Sequence, residues 1–158
     1  MMKSVGLVLL LIAAFAYSGV EGANSCATVL QNTIWQNADL KAALSACKSD
    51  PDGRAALTAL GGYAACRGYN FGAVKVGKCD AVAAPYMKCV AGKLGYLKAD
   101  GSINNAKISD QYKTYATRGS LCTDAMYNSA AGKCGTVTNY AFLVKAECII
   151  KALNQYSG

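Results

Sequence analysis

The sequence predicts an all-α fold, a single disulfide-stapled bundle of six or seven short helices. Apolar residues recur three and four positions apart along most of the chain, whereas the alternation typical of β-strands is nearly absent. Eight cysteines are dispersed over the sequence, and an even number of dispersed cysteines in a small chain is typical of a disulfide framework. We therefore expect separate helices that are joined by disulfides around one core.

The first 22 residues have the composition of a secretion signal. Lys3 supplies a positive charge, residues 5–16 are apolar, and residues 20–22 place small side chains where a signal peptide is cleaved. The apolar run is shorter than the roughly 20 residues that a membrane-spanning helix needs, and no second run follows. We therefore predict a signal peptide at residues 1–22, a disulfide-rich helical domain at residues 23–158, and a secreted, extracellular protein that does not span a membrane.

Three helices are predicted in the first half of the domain. The first is expected to be capped by Asn24 or Ser25 and the second by Asp39. Their apolar faces are formed by Cys26, Val29, Leu30 and Ile34, and by Leu40, Ala43, Leu44 and Cys47. Residues 49–53 predict a turn, and the third helix is expected at residues 54–67, with Gly68 as its C-terminal stop. Residues 69–78 are rich in glycine and β-branched residues, which predicts a loop with a short extended piece.

Four helices are predicted in the second half. The fourth helix has Pro85 near its first turn and ends by Gly95. A turn at residues 98–101 precedes a helix that Ser102 or Asn104 would cap. A short helix is then expected at residues 121–130, and the last helix at about residues 138–156. The apolar faces of these helices include Tyr86, Cys89, Val90, Leu94, Ile108, Tyr112, Tyr115, Ala116, Ala141, Val144, Cys148 and Ala152.

Composition argues against most secreted hydrolases. The chain has no histidine, which excludes catalytic systems and metal or haem sites that depend on it. Glu147 is the single glutamate after residue 22, and its place in a strongly periodic helix favours an ordinary surface residue over the general acid of a glycosidase. We therefore predict that the protein is not an enzyme and uses no cofactor.

The cysteines are expected to form disulfides and to bind no metal. Gaps of 9 to 32 residues separate consecutive cysteines, whereas zinc sites have pairs two to four residues apart. The pairing is left open, since eight cysteines allow many arrangements. The predicted disulfide residues are Cys26, Cys47, Cys66, Cys79, Cys89, Cys122, Cys134 and Cys148.

The basic residues are scattered, although the net charge is +7. No two lysines or arginines are adjacent anywhere in the chain. Proteins that bind nucleic acids usually cluster such residues with interleaved aromatic side chains. The pattern therefore indicates a solvated surface, and no nucleic-acid partner is predicted.

The segment from about residue 82 to residue 156 resembles the insect odorant-binding proteins. Residues 86–90, 93–97 and 100–104 are similar to the family's central cysteine helix, its Lys-Leu-Gly motif and the Asp-Gly turn that follows, and Cys122, Cys134 and Cys148 resemble its closing cysteines. The chain departs from the family where Pro85 replaces an expected cysteine and where 13 residues separate Cys134 from Cys148. The resemblance implies a helical bundle that encloses an apolar cavity for a small lipophilic ligand, without catalysis.

Apolar and tyrosine side chains on the helical faces are candidates for lining such a cavity, with tyrosine hydroxyls as its few polar groups. The candidate ligand-binding residues are Tyr86, Val90, Leu94, Tyr112, Tyr115, Phe142 and Leu143. The partner would then be a small lipophilic molecule.

The alternative is a secreted interaction or effector protein, such as a venom, salivary, defence or extracellular-matrix component. Its support is a basic chain with nine tyrosines after residue 22, several of them in polar or glycine-rich stretches. Tyrosine is favoured at binding surfaces because it buries a large area at a small entropic cost. The partner in this case would be an extracellular protein.

Overall fold

The computed structural model describes residues 21–71 and 77–156, which form seven α-helices. In chain order these are α1 (Glu21–Trp35), α2 (Ala38–Ala46), α3 (Pro51–Gly62), α4 (Gly77–Lys93), α5 (Asn105–Ala116), α6 (Asp124–Gly132) and α7 (Phe142–Asn154), with a 3₁₀ turn at Ala64–Cys66. Within the described ranges, β structure is limited to an isolated bridge between Leu97 and Ile103. The predicted all-α bundle of short helices is therefore confirmed.

Two predictions fall wholly or partly outside the described ranges. Of the predicted signal peptide, residues 1–20 lie outside them, and its last two residues are the first residues of α1. The extended piece expected within residues 69–78 falls in part on residues 72–76, which also lie outside them.

The predicted N-caps of α1 and α2 are wrong. α1 includes Asn24 and Ser25, since it begins at Glu21. The cap of α2 is Asn37, whose side-chain oxygen accepts a hydrogen bond at 2.9 Å from a backbone N–H three residues further on. Asp39 therefore lies inside the first turn, where a negative charge still favours the positive end of the helix dipole.

α3 begins earlier than predicted. The carboxylate of Asp50 accepts a hydrogen bond at 2.9 Å from the backbone N–H of Gly53 and so caps the helix. Pro51 follows as the first helical residue, where its fixed φ suits a helix and its missing N–H costs nothing. The residues predicted as a turn, 49–53, are therefore largely the cap and first turn of α3.

α3 also ends earlier than predicted, at Gly62 instead of residue 67. Two consecutive glycines close the helix, since glycine is among the weakest helix formers. Tyr63 then adopts an extended conformation before the short 3₁₀ turn. Gly68 follows that turn with a positive φ of 74°. It therefore ends the stretch that contains the 3₁₀ turn, whereas the sequence predicted that it would end the helix itself.

α4 runs through Pro85, which the sequence had placed near the first turn. A proline in the interior of a helix removes one hydrogen bond and costs about 3 kcal/mol. Disulfides on both sides of it, at Cys79 and Cys89, hold α4 against its neighbours and offset this cost. The predicted end of the helix is confirmed, because Gly95 follows it with a positive φ of 75°.

The last three helices begin at polar caps or after an unusual backbone. Asn104, one of the two predicted candidates, caps α5, and Thr123 caps α6. α7 begins at Phe142, later than predicted, because Asn139 and Tyr140 have positive φ values of 53° and 56° that a right-handed helix does not accommodate.

The helices form two packing groups around one apolar core. In the α2/α3/α4 group, α4 contacts both α2 and α3. In the α1/α5/α6/α7 group, α1 packs against α5 and α7, and α6 packs against the same two helices. The larger side chains that are fully buried in the core include Tyr86, Tyr112, Tyr127, Phe142, Leu30, Met87, Ile108, Leu143, Ile149 and Leu153.

All eight cysteines form disulfides, as predicted, and each disulfide lies within one helix group. Cys47–Cys89 and Cys66–Cys79 join parts of the α2/α3/α4 group. Cys26–Cys122 and Cys134–Cys148 join parts of the α1/α5/α6/α7 group. No disulfide among the described residues therefore crosses the junction between the two groups.

Tyrosine hydroxyls provide a second set of links between elements. Five of them donate hydrogen bonds to oxygens elsewhere in the fold: Tyr69 to Asp80, Tyr86 to Leu44 at 2.6 Å, Tyr112 to Phe142 at 2.7 Å, Tyr127 to Ser109 at 2.9 Å and Tyr140 to Gly101 at 3.3 Å. A buried hydroxyl that is satisfied in this way fixes the position of its ring. The tyrosines are thus largely structural.

The interior position of these tyrosines predicts a loss of stability at alkaline pH. Burial raises the pKa of five tyrosines above its ordinary value near 10, namely Tyr69, Tyr86, Tyr96, Tyr112 and Tyr127. Above about pH 10 the unfolded chain therefore binds fewer protons than the folded chain, so the free energy of unfolding falls as pH rises. We expect these phenols to ionise together with loss of helical circular dichroism, in an ultraviolet titration of tyrosinate. Gradual ionisation of all tyrosines near pH 10 with the helices intact would contradict this expectation.

Candidate functional site

A cleft of about 390 Å³ lies at the junction between the two helix groups. We call it the α2–α5 cleft, because α2 forms one wall and α5 the other. The segment that leaves α4 forms its floor. The cleft is lined by Asn37, Asp39, Ala42, Ala43, Ala46, Lys93, Leu94, Tyr96, Gln111 and Tyr115.

Behind the cleft lies a much smaller apolar cavity of about 20 Å³, which we call the inner pocket. It is lined by Ile34, Asn37, Leu40, Leu94, Tyr96, Tyr112, Tyr115, Phe142 and Leu143. Five of the seven predicted ligand-binding residues are among these: Leu94, Tyr112, Tyr115, Phe142 and Leu143. The fold therefore brings most of the predicted set to one place, although the space between these residues is large enough for only about one water molecule.

The other two predicted residues are in the core and line neither cavity. Tyr86 is 2% exposed; its hydroxyl bonds to the backbone of α2, and its ring lies 5.3 Å from the ring of Phe71. Val90 has no exposed surface. Tyr86 packs against α2 and α3, since its ring also lies close to Gly53. The structure therefore does not bring Tyr86 and Val90 to the candidate site.

Four residues line both spaces and so form the partition between the α2–α5 cleft and the inner pocket: Asn37, Leu94, Tyr96 and Tyr115. The amide of Asn37 donates a hydrogen bond to the hydroxyl of Tyr115 at 3.3 Å, which links the start of α2 to α5. Burial raises the pKa of Tyr96, and a hydrogen bond with the phenol of Tyr115 adds to the effect. The partition thus combines the apolar side chain of Leu94 with hydrogen-bonded phenol and amide groups.

The backbone around Gly95 explains why Tyr96 reaches the site. The positive φ of Gly95 turns the chain back after α4, and the N–H of Tyr96 then donates to the carbonyl of Ala91 at 2.8 Å. A β-carbon at Gly95 would lie 3.1 Å from the ammonium nitrogen of Lys107. The turn therefore points Tyr96 inward, where its ring packs 5.3 Å from that of Phe142.

Several residues of the site lie outside the predicted set. Hydrophobic periodicity could not identify the polar ones, Asn37, Asp39, Lys93 and Gln111, or Ala42 and Ala46, which lie off the predicted apolar face of α2. Ala43 lies on that predicted face but was not among the candidate ligand-binding residues. Tyr96 follows a helix end and belongs to no periodic face. Asn37 could have been found as the N-cap of α2, but the sequence pattern predicted Asp39 at that position.

The cleft has a mixed lining, in which Leu94 and three alanines of α2 lie beside polar and charged groups. Lys93 and Asp39 are its charged lining residues, and Asn37 and Gln111 are neutral. Within the described ranges, no three histidine, cysteine, aspartate or glutamate side chains are grouped as metal ligands would be. The arrangement can therefore hold a small molecule through apolar contact and a few hydrogen bonds.

Glu147 is not the ordinary surface residue that the sequence suggested. Its carboxylate accepts a hydrogen bond at 2.9 Å from the indole N–H of Trp35, and both side chains are half-buried. The bond joins α1 to α7 over a sequence separation of 112 residues. Glu147 therefore has a structural partner in the main helix–helix contact of the α1/α5/α6/α7 group.

The tyrosines of residues 21–71 and 77–156 do not form the continuous surface that an interaction protein would use. Of the nine in the described ranges, Tyr63 is the most exposed, at 41%, and it lies beneath the ammonium group of Lys78, 4.5 Å from its ring centre. The others are buried or half-buried. The expectation of a tyrosine-rich surface is therefore corrected, because hydroxyl bonds and burial hold most of these rings inside.

In residues 21–71 and 77–156, none of the helices combines the length and apolar character needed to cross a membrane. Comparison with known proteins gives no relative: no protein-family model, no curated protein and no solved structure matches this chain.

Proposed function

We propose that this chain is a secreted, non-enzymatic protein that binds a small lipophilic molecule in the α2–α5 cleft. The observation that carries the proposal is the size and lining of the cleft. Its volume of about 390 Å³ lies within the range of about 300–1,000 Å³ that small-molecule sites occupy. Leu94 and the alanines of α2 supply apolar contacts beside the polar groups of the cleft, and a site for a small molecule combines both kinds of contact.

The ligand position differs from the internal cavity that the family resemblance implied. A space of about 20 Å³ holds no molecule the size of a fatty acid or terpenoid, so the body of the ligand belongs in the cleft. Leu94 and Tyr115, both predicted ligand-binding residues, contact it from the floor and the α5 wall. Ala42 and Ala46 provide a smooth apolar surface on the opposite wall, because they are spaced one turn apart on α2.

Secretion is part of the proposal. It rests on the predicted signal peptide and on the pairing of all eight cysteines, because disulfides persist in oxidising compartments and are rare in the cytosol. A stapled fold of this kind would suit a protein that must last outside the cell.

The second candidate, a protein that acts through an extracellular protein partner, has weaker support. Its best observation is the pair of exposed large apolar side chains, Tyr63 at 41% and Leu121 at 56%. They belong to different helix groups, and isolated apolar residues on a surface are normal. Binding of small lipophilic molecules at micromolar concentration separates the two candidates.

The proposal predicts that filling the cleft blocks ligand binding. Ala46 is exposed on the cleft wall, so Ala46→Tyr should occupy the ligand position without disturbing the core. We expect the affinity for the fluorescent probe anilinonaphthalene sulfonate to fall by about tenfold or more in a fluorescence titration. The matched control is Ala125→Tyr, at an exposed alanine within α6 that lies outside the cleft.

The control variant should bind the probe like the unmodified protein. Fatty acids, terpenoids and steroids are then tested for displacement of the probe. Equal binding by both variants, or displacement by none of these compounds, would count against the α2–α5 cleft as the ligand site.

A further inference from the structure

We infer that the ligand has a narrow apolar end which enters the inner pocket, and that Tyr115 determines how much of this end is admitted. The inference rests on the proposed function, because it concerns a ligand held in the α2–α5 cleft. It assigns to Tyr115 the role of the residue that sets ligand selectivity.

Tyr115 is placed to separate the two spaces. It is half-buried on α5 and lines both the cleft and the inner pocket. The amide of Asn37 holds its hydroxyl from the α2 side at 3.3 Å. The exposed guanidinium of Arg118 lies 5.5 Å from its ring centre. The ring is therefore held at its hydroxyl end by two neutral hydrogen bonds, one with Asn37 and one with Tyr96, which restrain it less than full burial would.

The two walls of the cleft belong to different covalently linked groups. The α2 wall is tied to α4 through Cys47–Cys89, and the α5 wall packs against α1, which carries the Cys26–Cys122 disulfide. No disulfide within the described ranges joins one group to the other. Tyr115 can therefore move away from Asn37 without any change in a disulfide.

The inner pocket selects for apolar groups. Its far side is formed by Ile34, Leu40, Phe142 and Leu143, and the Tyr112 hydroxyl is already bonded to the carbonyl of Phe142 at 2.7 Å. A polar group that entered this space would lose its bonds to water without gaining a partner. The hydrogen-bonding end of the ligand must therefore stay in the cleft, near Gln111 and Lys93, while an alkyl or similar end points inward.

The test uses a series of straight-chain primary alcohols of increasing length, each of which displaces anilinonaphthalene sulfonate from the protein. In the unmodified protein the affinity should stop rising once the chain has filled the small space that Tyr115 leaves in the inner pocket. In Tyr115→Ala the opening between the cleft and the pocket is wider, so each further methylene group should raise affinity about fourfold until the enlarged pocket is full. Tyr115→Leu, which preserves more of the packing, should give an intermediate limit.

Two further variants separate the ring from the hydroxyl and from general effects of removing a tyrosine. Tyr115→Phe should retain the chain-length limit, because the ring is still present. The exposed Tyr63→Ala should match the unmodified protein. Circular dichroism and thermal unfolding of each variant show whether it is folded.

The outcomes distinguish this inference from the proposed function. If the unmodified protein binds the probe and the alcohols but the chain-length limit is the same in Tyr115→Ala and Tyr115→Leu, the role of Tyr115 is overturned and the cleft remains a ligand site. If the unmodified protein binds neither, both the proposed function and the inference fail. The inference is supported if the affinity of Tyr115→Ala and of Tyr115→Leu continues to rise to longer alcohols than that of the unmodified protein, while Tyr115→Phe and Tyr63→Ala keep the original limit.

Discussion

Replacing Cys26 and Cys122 together by alanine is expected to lower the free energy of unfolding by about 4 kcal/mol. This disulfide spans 96 residues, far more than the others, so its loss releases the largest restriction on the unfolded chain. Cys47–Cys89 lies within the same loop and shortens its effective length, but the loop remains several times longer than that of Cys66–Cys79. Chemical denaturation followed by circular dichroism measures the change.

The matched control is the double replacement of Cys66 and Cys79, which are separated by 13 residues. All four of these cysteines are at most 5% exposed, so the cost of the missing sulfur atoms is similar in both variants. We expect the control to lose about 3 kcal/mol, roughly 1 kcal/mol less than the long-loop variant. A larger loss in the control would show that loop length is not the dominant effect.

Phe142→Ala is expected to lower the free energy of unfolding by about 3–5 kcal/mol. Phe142 is 1% exposed at the start of α7, and its ring packs 5.3 Å from that of Tyr96. Its carbonyl oxygen also accepts a hydrogen bond at 2.7 Å from the hydroxyl of Tyr112. Removal of the ring leaves a cavity next to the inner pocket, and the surrounding helices cannot close around it fully.

The control for Phe142→Ala is Leu121→Ala, at a side chain that is 56% exposed. Loss of this leucine should change the free energy of unfolding by about 0.5 kcal/mol or less. Similar losses in the two variants, measured in the same denaturant series, would mean that Phe142 is not packed as the structure indicates.

The junction between the helix groups affects both the stability of the protein and its proposed function. The disulfides stabilise each group separately, while the junction relies on side-chain contacts such as the bond between Asn37 and Tyr115. A site at such a junction can change shape at a lower cost than a site inside one stapled group. This is the physical basis for placing ligand selectivity at Tyr115.

The helix boundaries show how local signals compete. Asp50 and Pro51 are typical both of a turn and of the start of a helix. A helix forms here because the carboxylate of Asp50 caps its first turn. Pro85 was expected near a helix start because an interior proline is costly, yet two disulfides and the buried face around Tyr86 keep α4 continuous. The local sequence pattern does not reveal these long-range interactions, namely the disulfides and the burial of Tyr86.

The sequence by itself determined the fold class, because apolar periodicity and dispersed cysteines follow directly from the order of residues. It also identified five side chains that line one pocket, since residues on apolar helical faces must turn towards the core. Only the tertiary structure decided the disulfide pairing, the partner of Glu147 and the position of the cleft. These features depend on how separate helices approach each other, and residues such as Asn37 and Tyr96 carry no sequence signal for that approach.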